Sequence, residues 1–474
     1  MAAVPEMEDV LSVTAEVRAG DYGSKVTAVE PGGAEFIPLS ERHGTPLALF
    51  WTWMSPNLEF ATVFVGVLAV LVFGQTLWQA TLAIVLGSLL GSVSHGLLGA
   101  RGPLLGVPQM ILSRIPFGYR GNVLPAGLNA VTAGIGWFAV NSVSGALALN
   151  TLLHLPKVLC LLIVVAAQIA IAFFGHNLVH TFERLAFPIL AVAFLLACFW
   201  IFPKADPGAA AGGGGIGGFL ITLGAAFGYA AGWNPYASDY TRYFAPDTSR
   251  RATALWGGLG VFVSCVVLEV LGAASATIAS PKGSSPTAAF TGHMPTAVAD
   301  LVLLAIALGA VSANAINVYS GTMSFLAMGI ELPLALRRAI VAAGFGTLGF
   351  VVALLALDDV STYENFLLVI AYWIGPWLGV YFTDQLLRRG RHVEGYLFDR
   401  KHNPWAGWVS MLVAMGVSIW LFSNQAQYVG VVPSANSSFG DIAFEVGFLL
   451  AAGLYWLLFR LQPREREEIL ILPE

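Results

Sequence analysis

The sequence predicts an all-α integral membrane protein, and three observations carry that prediction. Of its 474 residues, 57% are hydrophobic and 11% charged, against about 25% charged in a soluble domain; the mean hydropathy is +0.74. Its apolar runs are roughly 20 to 30 residues long, the length that crosses a bilayer as helix, and the ten-residue alternation of membrane strands is missing. Two of the runs are interrupted where Pro and Asn stand side by side, at Pro56–Asn57 and at Asn234–Pro235.

Taken in order, residues 1–43 are polar and lack the basic and apolar regions of a cleaved signal, so they read as a cytoplasmic tail with the first span as anchor. Twelve spans follow, at 46–73, 76–99, 124–153, 156–176, 183–203, 216–243, 252–280, 295–329, 335–357, 362–386, 404–423 and 439–460. The segment 101–122, with Arg101, Arg114 and Arg120 among Gly and Pro, reads as a structured loop. Asp206–Gly215 (DPGAAAGGGG) reads as a flexible linker before span six. Residues 44–203 then hold spans one to five, 204–390 spans six to ten, 391–462 the last two, and 463–474 a second cytoplasmic tail. With both ends inside, all but Lys157, Lys204 and Lys282 of the 23 Lys and Arg fall on the cytoplasmic side. That bias satisfies the positive-inside rule for a multi-pass protein of the cell membrane.

The breaks organise the rest. Proline cannot donate to the preceding turn and restricts the residue before it, so a span should kink or open there. Within a bilayer such backbone survives only against protein or a wet cavity. Spans one and six stand five apart and enter from opposite sides, which is what a five-plus-five inverted repeat produces. Paired broken helices in corresponding positions point to a transporter's central site.

Polar side chains at depth supply candidates. Trp137 and Asn141 share a face of span three at i, i+4, where a flat ring and an amide suit a planar ligand as well as they suit packing against a neighbouring helix. Span eight crowds Ser312, Asn314, Asn317, Tyr319 and Ser320 into one half, with Asn314 and Asn317 on one face. Glu59, about a turn beyond the first break, and Glu269 in span seven are carboxylates at membrane depth, where charge is costly and often functional. Asp239 and Arg242 are spaced to pair across a turn beyond the second break, as a structural or gating pair. Other chemistry finds little support. Cys160, Cys198 and Cys265 are scattered, only His176 and His180 have ligand spacing, and no phosphate-binding loop exists. No metal, resident cofactor or nucleic-acid partner is expected, and the sequon Asn436-Ser437-Ser438 matters only in a secretory pathway. A membrane-embedded enzyme would need a constellation converging at one depth, and none does; a channel would need no closed central site.

With "WMSPN" and Gly66 in span one, Trp137 and Asn141 in span three, "RIPFG" with Arg114, Phe117 and Gly118, "GWNPYASDYTRY" in span six, and Asn314 with Asn317, the chain resembles nucleobase–cation symporter family 1, the purine–cytosine permease group. The resemblance covers nearly the full length. It implies a LeuT-like fold of twelve spans, ten of them forming the inverted repeat, and import of a nucleobase or related heterocycle with a co-transported H+ or Na+. By position, Trp137 resembles the family's stacking residue and Asn141 the amide that reads the heterocycle edge. Ser55 adds a hydroxyl, Asn314 and Asn317 bond the ring, and Trp233 forms the opposite wall, a place that a one-turn shift would give to Tyr229 or Ala230. The sodium-coupled pattern has adjacent hydroxyl residues on span eight; here Val311 precedes Ser312, leaving one ligand. A proton is therefore expected over sodium, with Glu59 and Ser312 in ion coupling. Allantoin, hydantoin, uracil or a vitamin ring remain alternative cargoes.

Overall fold

The computed structural model describes residues 33–174, 176–209, 212–279, 285–330, 337–357, 362–425 and 427–462. Residues 1–32 of the expected N-terminal tail, all of the C-terminal tail, Ala210 and Ala211 of the linker, and Lys282 lie outside them.

Helices follow in the expected order. Span one is Ala48–Met54 and Phe60–Leu71, span two Leu77–Gly99, span three Val123–Leu153, span four Lys157–Phe174 and span five His176–Ile201. Span six is Gly215–Ala231 continued by Ala237–Thr241, span seven Arg250–Ala276 and span eight Thr296–Ala327. Spans nine to twelve are Arg337–Ala356, Thr362–Leu387, Ala406–Phe422 and Ala443–Phe459. Among the described residues, eight helices are long and apolar enough to cross a membrane, or nine when the bent pair of span one counts as one. Three shorter apolar helices, Val341–Leu355, Ala406–Phe422 and Ala443–Phe459, occupy the expected spans nine, eleven and twelve. The 101–122 loop is three short helices, Gly102–Leu105, Gln109–Leu112 and Arg114–Gly121.

Local chemistry sets the ends. The Thr76 hydroxyl accepts from the Gln79 amide at 3.2 Å while Gln79 Oε1 accepts from the Thr76 amide at 3.0 Å, a capping box that starts span two. Span two shows Trp78, Leu82, Leu86, Leu89, Val93 and Leu97 outward and buries Ser88, Ser92 and His95. The apolar face meets lipid and the polar face meets protein. Span five begins at His176, not at 183. The polar residues His176, Asn177 and Glu183 depress the hydropathy of its first two turns, yet all three are buried against protein, so that end needs no apolar face.

The two breaks differ in kind. In span one, Ser55–Asn57 forms a tight 3-10 turn, Glu59 is extended (φ −151°, ψ 176°), and the halves are bent by 60°. In span six, Gly232, Trp233 and Tyr236 all keep right-handed helical angles, and Pro235 sits in the first turn of the 3-10 segment Asn234–Tyr236. There its missing N–H would have had no helical partner; the α-helix stops at Ala231 and resumes at Ala237 across that 3-10 turn, the expected break without the sharp bend of span one.

Span one's second half lies directly on span seven. A Cβ at Gly66 would stand 1.6 Å from the Glu269 carbonyl oxygen, and one at Gly272 would stand 1.8 Å from the Val63 carbonyl oxygen. Only glycine permits that backbone contact, the small-residue packing by which membrane helices associate.

Candidate functional site

Side chains from both breaks tie spans one and six together. Trp233 Nε1 donates to Asn57 Oδ1 at 2.8 Å, and the Trp233 carbonyl meets His95 Nδ1 at 3.1 Å. The Thr62 hydroxyl contacts the Asn57 carbonyl and the Tyr229 hydroxyl, each at 2.5 Å. Tyr229 also lies 3.3 Å from Glu59 Oε1, and Ser144 of span three donates to Glu59 Oε2 at 3.4 Å. Glu59, at the start of span one's second half, is thus fully buried and bonded to spans three and six. Gly309 of span eight lets the break approach: a Cβ there would fall 2.3 Å from the Leu58 carbonyl oxygen.

Spans three and eight supply the amides. A π-helical turn over Thr132–Trp137 ends at the indole, and such turns recur at functional sites. Trp137 meets Tyr229 nearly at right angles with ring centroids 5.3 Å apart, and Phe366 at 5.2 Å. One turn on, Asn141 Nδ2 donates to Asn314 Oδ1 at 3.1 Å, and Asn317 Nδ2 donates to the same oxygen at 3.1 Å. Asn314 Nδ2 in turn donates to the Phe138 carbonyl at 2.8 Å and approaches Ser142 Oγ at 3.2 Å. Ser142 is held by Gln168 Oε1 at 2.9 Å, and Gln168 Nε2 reaches the Ala310 carbonyl at 3.1 Å. Asn314 therefore has both ends of its amide engaged with protein and sets the orientation of the other two. Asn141 Oδ1 and Asn317 Oδ1 are buried with no protein partner. Each of these oxygens is a hydrogen-bond acceptor.

A second cluster lies at the first break. Ser55 Oγ is 3.3 Å from Ser312 Oγ, and Ser312 donates to Glu183 Oε2 at 2.5 Å. Glu269 of span seven accepts from Ser88 of span two at 3.3 Å. At the far end of span six, Asp239 and Arg242 are both buried. Asp239 Oδ1 accepts from the Gln109 amide at 2.9 Å. Arg242 donates to the Asp239 carbonyl at 3.2 Å, the Gly33 carbonyl at 3.0 Å and the Tyr319 hydroxyl at 2.9 Å. These contacts close that end of the bundle with the segment before span one.

The structure thus brings Trp137, Asn141, Asn314 and Asn317 together, joins Ser55 to Ser312, and sets Trp233 against Asn57. Sequence reasoning missed Glu183, Ser142, Gln168, Thr62 and Ser144. For Glu183 a signal existed: His176, His180 and Glu183 fall at i, i+4 and i+7, the spacing of one helical face.

A family model described as permease for cytosine/purines, uracil, thiamine and allantoin matches residues 36–447. The purine-cytosine permeases of Emericella nidulans and Saccharomyces cerevisiae are 27% and 28% identical over 453 and 439 residues, which is 91% and 86% of this chain and 88% and 81% of theirs. A solved structure of a nucleobase-cation-symport-1 family transporter, closed with bromovinylhydantoin bound, aligns at a TM-score of 0.73 and 20% identity, covering 91% of this chain and 95% of that one. The two share one fold over nearly their whole length.

Proposed function

The chain belongs to the family of permeases for cytosine/purines, uracil, thiamine and allantoin, and from that premise we propose that it imports a purine- or cytosine-like nucleobase across the cell membrane by symport with a proton. The observation that carries the reading is the pair of buried amide oxygens on Asn141 and Asn317 with no protein partner, Asn141 standing one turn from Trp137. A nucleobase offers a flat π face to the indole and N–H donors on its edge to the two acceptors. Base–aromatic stacking is sequence-tolerant and strong, whereas hydrogen bonds to a built acceptor reject rings that lack the donor. Asn314 is then a positioning residue, Ser55 lies at the ion cluster, and Tyr229 shares the wall role with Trp233.

Proton coupling is favoured because Val311 leaves Ser312 as the lone hydroxyl of its pair on span eight. Glu59 is well placed to link cargo and ion, since Tyr229 touches both its carboxylate and the Trp137 ring. Both termini lie in the cytoplasm on this reading. Uptake of labelled cytosine and hypoxanthine, competed by a panel of rings, tests it. Saturable uptake that rises as external pH falls, persists without sodium and collapses with a protonophore is expected. Uptake of allantoin or uracil alone would replace the cargo, and sodium-dependent, pH-indifferent uptake would replace the ion.

A further inference from the structure

A carboxyl group sits where spans one, five and eight meet, and the substrate site does not use it. Glu183 is fully buried two turns into span five. Ser312 donates to its Oε2 at 2.5 Å, and Ser55 lies 3.3 Å beyond Ser312. Glu183 Oε1 is buried with no hydrogen-bond partner. We infer that Glu183 carries the symported proton, held in the Ser55–Ser312–Glu183 cluster, and exchanges it with the N-terminal side past the imidazoles of His180 and His176. This names the ion-carrying group of the proposed symport and rests on that reading.

Ser312 Oγ shares its hydrogen with Glu183 Oε2, which leaves the other carboxyl oxygen to carry a proton. A carboxylate buried without a cationic partner is costly. Span one and its break present the hydroxyls of Thr52 and Ser55. Span eight presents Ser312 and, two turns further along, Tyr319. Span four carries its ionisable groups, Lys157 and Cys160, at the end remote from its junction with span five. Span seven brings Cys265 and Glu269, the latter held by Ser88. On Glu183's own helix stand His180 one turn earlier, His176 before it, and Arg184 next in sequence.

Imidazole and hydroxyl groups continue along that face. His180 Nδ1 contacts Thr52 Oγ1 at 3.1 Å, and the His180 and His176 rings lie parallel with centroids 5.9 Å apart. His176 stacks on Tyr243 at 3.8 Å and stands 6.0 Å from His43, which is exposed. In the cycle, the proton leaves outer water for a Glu183 carboxylate oxygen when span one opens the first break. It stays there as the loaded carrier closes, and passes to inner water past His180 and His176 when that side opens. No other bond changes.

The experiment uses the full chain in proteoliposomes with a pH-sensitive dye inside, driven by labelled hypoxanthine or cytosine. Wild type should acidify the lumen in step with uptake. Glu183→Gln should abolish that acidification, lower the accumulation ratio more than tenfold, and leave residual hypoxanthine exchange indifferent to pH. Glu183→Asp should restore proton movement with a displaced pH midpoint, which a merely structural role would not give. Glu59→Gln should slow transport yet keep the pH dependence. Proton flux that survives in Glu183→Gln and is lost in Glu59→Gln overturns the inference. Should Glu183→Gln fail to assemble, His180→Ala and Ser312→Ala replace it: a shifted pH midpoint in both supports the assignment, and unchanged profiles in both reject it. Wild-type uptake without acidification would remove the proton and spare the nucleobase reading, while absence of any base uptake would remove that reading itself.

Discussion

Replacing Trp137 by Ala tests the cargo site most directly. The indole is 6% exposed and packs on Tyr229 and Phe366 at ring separations of 5.3 and 5.2 Å. Two losses must be separated. Truncating a buried aromatic costs about 3–5 kcal/mol of stability, whereas losing a stacked base costs about 1–3 kcal/mol of binding by alanine substitution. At 1.4 kcal/mol per decade, the second corresponds to roughly 5- to 150-fold weaker binding. Trp137→Phe keeps a ring against Tyr229, so it should recover most of the stability and part of the affinity. Equilibrium binding of labelled hypoxanthine to purified protein, with thermal unfolding of the ligand-free protein measured in parallel, resolves the two terms. If Trp137→Ala melts early yet binds within twofold of wild type, the indole is packing alone and the stacking role is wrong.

The amides should divide by role. Asn141→Ala and Asn317→Ala each remove an acceptor and should change which rings compete for uptake, with little loss of ligand-free stability. Asn314→Ala strips the shared acceptor from both neighbours and leaves the Phe138 carbonyl without its side-chain donor, so it should lower the melting temperature and weaken all cargoes alike, at about 1–3 kcal/mol per orphaned group. Gly66→Ala would drive a methyl into the Glu269 carbonyl and should abolish a monodisperse peak in size-exclusion chromatography. Glu59→Gln leaves one oxygen acceptor where Tyr229 and Ser144 now meet two, a loss of about 1 kcal/mol; roughly a fivefold fall in uptake is expected, read from initial rates at fixed pH.

Spans and breaks were legible because apolar length and proline act locally. Pro56 and Asn57 predicted an opened helix, and one is there. Pro235 predicted another, and the α-helix does stop at Ala231 and resume at Ala237 across a 3-10 turn, although without the sharp bend of span one. The amide cluster was half legible. Two Asn three apart share a face wherever that helix lies, but which of them is satisfied depends on Ser142 and Gln168 of other helices. Glu183 was hidden by an averaging effect. Its turn is polar, so hydropathy started span five after it, although protein rather than lipid covers that turn.

The π-helical turn at Thr132–Trp137 has a consequence for how this span can vary. Such a turn accommodates one residue more than an α-helix would over the same rise, and an α-helix advances about 100° per residue. Deleting a single residue there would let the helix regularise while the segments on either side keep the faces they present, because the turn already absorbs that residue. A deletion in the regular α-helical part of the span has no such slack and would swing everything ahead of it by about 100°. Those six residues are thus where span three tolerates a change of chain length, a property that substitution scanning does not reveal.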